Sequence, residues 1–222
     1  MQPQTATTGE TSPLDDVLRH SGAIMARHQG TIEAAHFGSA AGEAAACLSN
    51  VGIVDRSRRT TLEMRAAPGD AEEALGALAV SACDAWWAEV GRGRTIIRCE
   101  RADTALVIGC LETFPDVSIQ DVSHLYAAIA LVGPRAREVL RASGSGAPGL
   151  EVFVINESPD RCELLTATAN GPALWDRLLH AGAPMHIACV GFEAIEHLAA
   201  SRLMGRGHPG GRMGHVDRRP TV

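Results

Sequence analysis

The stretch GSAAGEAAACLSNVGIVDRS, residues 38–57, decides the fold. Its first half reads as a helix over about residues 40–48. Gly52 then stands at a strand entrance. Asp55 and Ser57 follow it, and such residues after a glycine serve as turn and cap residues or as ligands. The spacing carries the information. Gly38, Ser39, Glu43, Ala46, Gly52, Asp55 and Ser57 stand in the pattern G-S-x(3)-E-x(2)-A-x(5)-G-x(2)-D-x-S without a gap.

Working outward toward the N-terminus, Ser12 caps a helix with Pro13 at its first position, a favoured start. Leu14, Val17, Leu18, Ile24 and Met25 supply its apolar face, and residues 1–12 read as a disordered tail. Downstream of Thr60 the period becomes two: Leu62, Met64 and Ala66 alternate with polar neighbours, as in a strand. Pro68-Gly69-Asp70 turns into a helix carrying Ala71, Ala74, Leu75 and Leu78. Trp86-Trp87 falls at a helix end, with one ring inward and one outward.

Strands over residues 95–99 and 104–110, joined by Glu100-Arg101-Ala102-Asp103, read as a hairpin. Further strands cover residues 117–121 and 126–132. Gly133-Pro134 opens a helix whose inner face is Ala136, Val139 and Leu140, and residues 143–149 form a flexible linker. Strands at 151–155 and 162–166 follow. Next comes a helix from Pro172 to Gly182 with Leu174, Trp175, Leu178 and Leu179 inside, then a last helix over 191–204. Residues 206–222 read as a loose tail whose Gly and Arg content offers little apolar area to cover a flank. Mixed hairpins and single crossovers predict an α+β domain over residues 13–205, with mostly antiparallel sheet and packed helices.

Hydrophobic residues make up 45%, charged residues 21% and aromatics 4%, so an ordinary core must be built from Ala, Leu, Val and Ile. A net charge of −6 and only short basic clusters, Arg56-Arg58-Arg59 and Arg218-Arg219, argue against nucleic-acid binding. The six cysteines include no CxxC and no zinc spacing, and read as reduced, scattered thiols. His208, His215 and Asp217 have irregular spacing in a Gly-rich tail, so no metal site is assigned to them. No apolar run approaches a membrane span, and the polar first residues lack a signal core; a cytoplasmic protein is the expectation.

The 38–57 pattern resembles that of the glycine-cleavage T-protein (aminomethyltransferase) superfamily. Ser12-Pro13-Leu14 stands where those proteins have Thr-Pro-Leu. Leu131-x-Gly133-Pro134-x-Ala136 is similar to their L-x-G-P-x-A, and Glu163, Leu174-Trp175, Leu178 and Ala181-Gly182 to a later stretch. The resemblance covers about residues 12–204. It implies a folate-binding domain without the family's C-terminal barrel, and tetrahydrofolate or a one-carbon derivative as the small-molecule ligand.

By the same resemblance Glu163 is the pterin contact, because a carboxylate accepts two parallel N–H bonds from a 2-amino-4-oxo pteridine as it does from a guanidinium. Arg94 and Tyr126 complete the expected folate-contacting set. The family's G-G-x-x-D-D aspartates are missing: Arg92-Gly93-Arg94-Thr95 holds their approximate place, and a guanidinium is no base. Asp84 and Asp103 lie near but in the wrong context, and the family's G-L-G-A-R-D arginine is absent from Gly191-Phe192-Glu193-Ala194. No catalytic residue is assigned. The shorter sarcosine oxidase gamma subunits also lack the aspartates, and residues 59–69 are similar to their pattern.

Two readings follow. One is a tetrahydrofolate-dependent one-carbon transferase with altered catalytic residues. The other is a non-catalytic folate-binding or assembly subunit of a larger complex. Loss of the barrel would leave a sheet flank uncovered, which implies a homodimer or a partner subunit with the Trp86-Trp87 segment at the contact.

Overall fold

The computed structural model describes residues 11–81, 83–144, 151–203, 212–213 and 215–217, the backbone alone from 201 onward. In chain order the elements are α1 (Asp15–His20), β1 (Ile24–His28), β2 (Thr31–His36), α2 (Ala40–Ser49), β3 (Gly52–Asp55), β4 (Thr60–Arg65) and α3 (Pro68–Ala79). They continue with β5 (Ala85–Gly91), β6 (Arg94–Cys99), α4 (Thr104–Leu111), β7 (Ser118–Asp121), β8 (Tyr126–Val132), α5 (Ala136–Ala142) and β9 (Val152–Ser158). The last are β10 (Arg161–Ala167), α6 (Gly171–Gly182), β11 (Ala188–Cys189), α7 (Phe192–Leu203), β12 (Arg212–Met213) and β13 (His215–Asp217).

β1 and β2 form a separate hairpin. Six strands pair in the order β11-β3-β8-β10-β9-β13, and five in the order β12-β5-β6-β4-β7. Most pairs are antiparallel; β11 on β3 and β12 on β5 are parallel. The α+β class with largely antiparallel sheet is therefore as the sequence implies. No helix among the described residues is long and apolar enough to cross a membrane.

The two large sheets pack face to face, each with helices behind it. On the six-stranded sheet, alternate residues Ile129, Leu131, Cys162 and Leu164 point away from the other sheet, into a core with Leu14 and Leu18 of α1 and Leu174, Trp175 and Leu178 of α6. On the five-stranded sheet, Leu62, Met64, Ile97 and Cys99 pack against Ala74 and Leu78 of α3 and Val107 and Leu111 of α4. The facing sides meet through Ala88, Val90 and Ile96 against Ala128, Ile155 and Leu165. Tyr126 and Phe153 pack against this cluster, and ionic groups complete the layer between the sheets.

The 38–57 stretch builds the crossing at one end of this sandwich. Ser39 is the N-cap of α2, its hydroxyl accepting from Gly42 N at 3.2 Å. Glu43 is buried and ties two distant chains: Oε1 accepts from Phe37 N at 2.7 Å, and Oε2 from Gly191 N at 2.9 Å. Gly52 lies against Cys47 and Val190, where any Cβ would collide. Asp55 Oδ1 accepts from Ser57 N at 2.8 Å. Ser57 in turn clips onto β8, accepting from Ala128 N at 3.0 Å and donating to Ala128 O at 3.3 Å.

Four local readings are corrected. Residues 104–110 are not the second strand of a hairpin but lie in α4: T-A-L-V-I-G-C-L is apolar nearly throughout, and its period alone cannot separate helix from strand. Trp86-Trp87 lies in β5, not at a helix end. Trp87 is buried in the α3–α4 core, and Trp86 is half-buried on the inter-sheet face, opposite Arg98 in register. α1 ends at His20, and Gly22 (φ 89°) turns the chain so that Ile24 and Met25 belong to β1. Leu14 rather than Ser12 is the N-cap of α1; Ser12 is buried, and its hydroxyl donates to Asp55 Oδ2 at 2.5 Å.

Within 206–222, β12 pairs beside Trp86-Trp87 and β13 beside β9. The chain's own backbone thus occupies the edge at which the sequence placed a partner contact. His208 lies outside the described residues.

Candidate functional site

A network of guanidinium and carboxylate groups fills the inter-sheet layer at the β3–β4 end. Glu163 comes from β10 and Arg98 from β6, one from each sheet. Both are fully buried. Arg98 Nη2 donates to Glu163 Oε1 at 2.7 Å, and its Nε lies 3.4 Å from Oε2, so one guanidinium edge faces both carboxylate oxygens. The remaining Arg98 donors are also placed: Nη2 to Arg56 O at 2.7 Å, and Nη1 to Arg59 O at 3.1 Å and to Thr61 Oγ1.

Arg59 lies 4.0 Å from Glu163 Oε2 and 3.5 Å from Glu157, and its Nε donates to Glu100 at 2.8 Å. The same Glu100 oxygen accepts from Arg56 Nη2 at 2.6 Å. Glu157 is closed off by Arg161 at 2.6 Å.

The electrostatics follow from burial and partners. Burial alone would raise the Glu163 carboxyl; the Arg98 and Arg59 guanidiniums overcome it and hold it at about 2. Glu100 is likewise held at about 2 by Arg56 and Arg59 against partial burial. Arg56 is pushed down to about 10, first by burial and then by repulsion from Arg59. Asp55 moves up, because burial outweighs its bonds to Ser12 and Ser57. The thiols of Cys99, Cys162 and Cys189 are raised to about 11, 12 and 11 by burial, so none is primed as a nucleophile.

Of the expected folate-contacting set, the structure brings two together and sets the third apart. Arg94 Nε donates to Glu63 Oε2 at 2.6 Å, and its Nη2 lies 3.4 Å from Tyr126 Oη. Tyr126 and Glu163 share a face of the six-stranded sheet, but Glu163 pairs with Ala130, four residues along β8 from Tyr126. At the strand rise that is about 13 Å away. Glu163 is shut inside the sandwich with its oxygens on Arg98, so the residues do not fit a pterin at Glu163 in this arrangement. Arg98 and Glu100 were not picked out as site residues from the sequence, and Arg59 only as part of a short basic cluster. The signal for Arg98 is an alternation in β6, where Arg94, Ile96 and Arg98 share a face that binary patterning would make wholly apolar.

Beside the network lies a small open cleft of about 40 Å³. Its walls include Asp55, Arg56, Arg58, Arg101, His28 and Phe192. His28 stacks on Phe192 with centroids 4.2 Å apart, joining the β1–β2 hairpin to α7.

No family model matches the sequence, and no curated protein matches it. Among solved structures, the glycine cleavage system aminomethyltransferase T of Bartonella henselae superposes with a TM-score of 0.68 at 17% identity, over 86% of this chain and 62% of that one. This chain therefore spans less than two thirds of that protein's length. A heterotetrameric sarcosine oxidase from Corynebacterium sp. U-96, in complex with pyrrole 2-carboxylate, gives 0.46 at 21% identity over 66% of this chain and 92% of that one. Aspartokinase alpha and beta subunits give 0.44 at 18% identity, over 60% of this chain and 98% of that one. The last two superpose too loosely to carry weight. The first shows that the fold of this chain is T-protein-like.

Proposed function

We propose that this chain is a T-protein-like domain that works as a non-catalytic binding or assembly subunit rather than as a one-carbon transferase. The observation that carries the reading is the Arg98–Glu163 pair. A pterin edge and a guanidinium offer a carboxylate the same two parallel donors, and here the guanidinium is built in. A pterin would have to displace Arg98 and leave it charged and buried. Breaking such a pair costs about 3–5 kcal/mol, roughly a hundredfold or more in affinity. The missing aspartate pair points the same way, as does α4, which has no charged residue and leaves Leu106 half exposed.

Titration of the pure protein with tetrahydrofolate tests this. The expected result is no saturable binding across the micromolar range. Micromolar binding that is lost in Glu163→Gln would overturn the reading and restore the folate site at Glu163.

A second reading keeps tetrahydrofolate as ligand on the flank where Arg94, about a third exposed, meets Tyr126. It requires saturable binding that survives Glu163→Gln and is lost in Arg94→Met or Tyr126→Phe.

A further inference from the structure

We propose that the cleft between the β1–β2 hairpin, the β3–β4 loop and the corner after β6 is a binding site for a small oxyanion, a carboxylate or phosphate group gripped by Arg56 and Arg101. The argument begins with charge. The β3–β4 loop supplies Arg56, Arg58 and Arg59, and the corner after β6 supplies Arg101; all four line the cleft. The acids that line it are already engaged. Both Arg56 and Arg59 draw on a single oxygen of Glu100. Asp55 accepts from Ser12 and Ser57. Glu33 accepts from Thr31 Oγ1 at 2.7 Å and lies 3.6 Å from His28 Nδ1. Arg58 has its own partner in Asp15, at 3.2 Å. Four guanidiniums line the cleft against three carboxylates; Arg59 also reaches beyond it to Glu157 at 3.5 Å, and Arg101 has no ion-pair partner among the described residues.

The donors point to the same ligand. Arg56 Nε is buried and has no hydrogen-bond partner among the described residues, although only 14% of that side chain is exposed. A buried donor of this kind is costly unless something accepts from it. Arg101 is exposed and fixed by its Nε, which donates to Arg58 O at 3.1 Å. Its two terminal nitrogens have no acceptor among the described residues and are placed to pair with an anion's oxygens. Repulsion among neighbouring guanidiniums, which lowers Arg56 after burial, is relieved by an added negative charge. The cleft, of about 40 Å³, has room for a single oxyanion head. This inference does not rest on the reading of Glu163, which lies on the inter-sheet side of the network.

The test is thermal unfolding of the full chain at fixed ionic strength, with inorganic phosphate in one arm, succinate in the other and chloride as the reference. A saturable rise in Tm with phosphate, with succinate or with both is expected, and the arm that responds names the source. Arg101→Met, an exposed change that leaves the Arg98–Glu163 pair untouched, should weaken the apparent affinity about tenfold or more, as for one lost charge-assisted bond. Arg56→Met should abolish the response; if that variant fails to fold, Arg101→Met decides alone. A rise no larger than that with chloride, or one unchanged in Arg101→Met, overturns the site.

Discussion

Replacing Arg98 with methionine tests whether the two sheets are joined by an ion pair that neither partner can leave. Methionine keeps most of the volume and removes every donor. Glu163 is then left at zero exposure, with Arg59 at 4.0 Å as its nearest remaining cation and Arg56 beyond it. Removing one member of a buried pair costs about 3–5 kcal/mol. For a chain of this size that is a fall in Tm of roughly 6–20 °C.

The loss carries its own pH signature. A buried carboxylate without its partner has its folded-state pKa raised above the ordinary 4.5, so the variant folds with Glu163 protonated. Stability from a raised pKa is present below the unfolded value and lost as pH rises toward the folded one. The gap between variant and parent should therefore widen by up to about 1.4 kcal/mol per pH unit above about pH 5. The double variant Arg98→Met/Glu163→Leu has no charge to strand and should recover most of the loss. Urea unfolding followed by tryptophan fluorescence at pH 5, 6 and 7 measures all three chains; Trp175 and Trp87 are both buried reporters. A single variant that loses less than about 1 kcal/mol at pH 7, as an exposed pair would, refutes the reasoning. So does a gap that stays flat with pH.

Two further outcomes follow from the same structure. The parent should lose stability as pH falls from about 4.5 toward 2, because Glu163 and Glu100 are both held at about 2 and their contribution disappears as they protonate; Glu100, more than a third exposed, supplies the smaller part. Acid titration by circular dichroism reads this, and a transition centred above pH 5 would point to other groups. Gly191→Ala should destabilise by more than about 2 kcal/mol, since its Cβ would collide with the Ala35 carbonyl beside the bond from Gly191 N to Glu43; Gly109→Ala, inside α4 with nothing near its Cβ, is the contrasting control and should stabilise by about 0.5–1 kcal/mol in the same melting assay.

The fold was legible where a residue's structural task fixes its type. Ser39 must accept from an exposed helix amide, Glu43 must bridge Phe37 to Gly191, and Gly52 must leave room for Cys47 and Val190. Each task rules out nearly every alternative, so the pattern survives in a single sequence. Legibility failed where apolar content outran periodicity. The residues of α4 suit a buried strand as well as a helix. The Trp86-Trp87 pair suits any element with two environments, and only its pairing to β6 makes it a strand. Ile24 and Met25 leave the helix for a different reason: Gly22 at φ 89° ends the helical path, and the sign of a glycine's φ is not written in the sequence.

The candidate site was less legible because its meaning lies in a contact between sheets. Glu163 in isolation is a carboxylate at a familiar position, and its chemistry suits a pterin or a guanidinium equally. What decides between them is 65 residues away, where the alternation of β6 places Arg98 on the inward face in the layer that Glu163 enters from the opposite sheet. Sequence spacing within either strand cannot report that meeting. The arginine run at 56–59 suffered the same fate. Along the chain it is a short basic cluster. In the fold it surrounds Glu100, fastens Arg98 through the Arg56 and Arg59 carbonyls, and leaves one buried Arg56 donor without a partner among the described residues. The charge that argued against a polyanion partner when counted over the whole chain is locally reversed in this cleft. Four arginines against three carboxylates line it, a local balance that the net charge of −6 conceals.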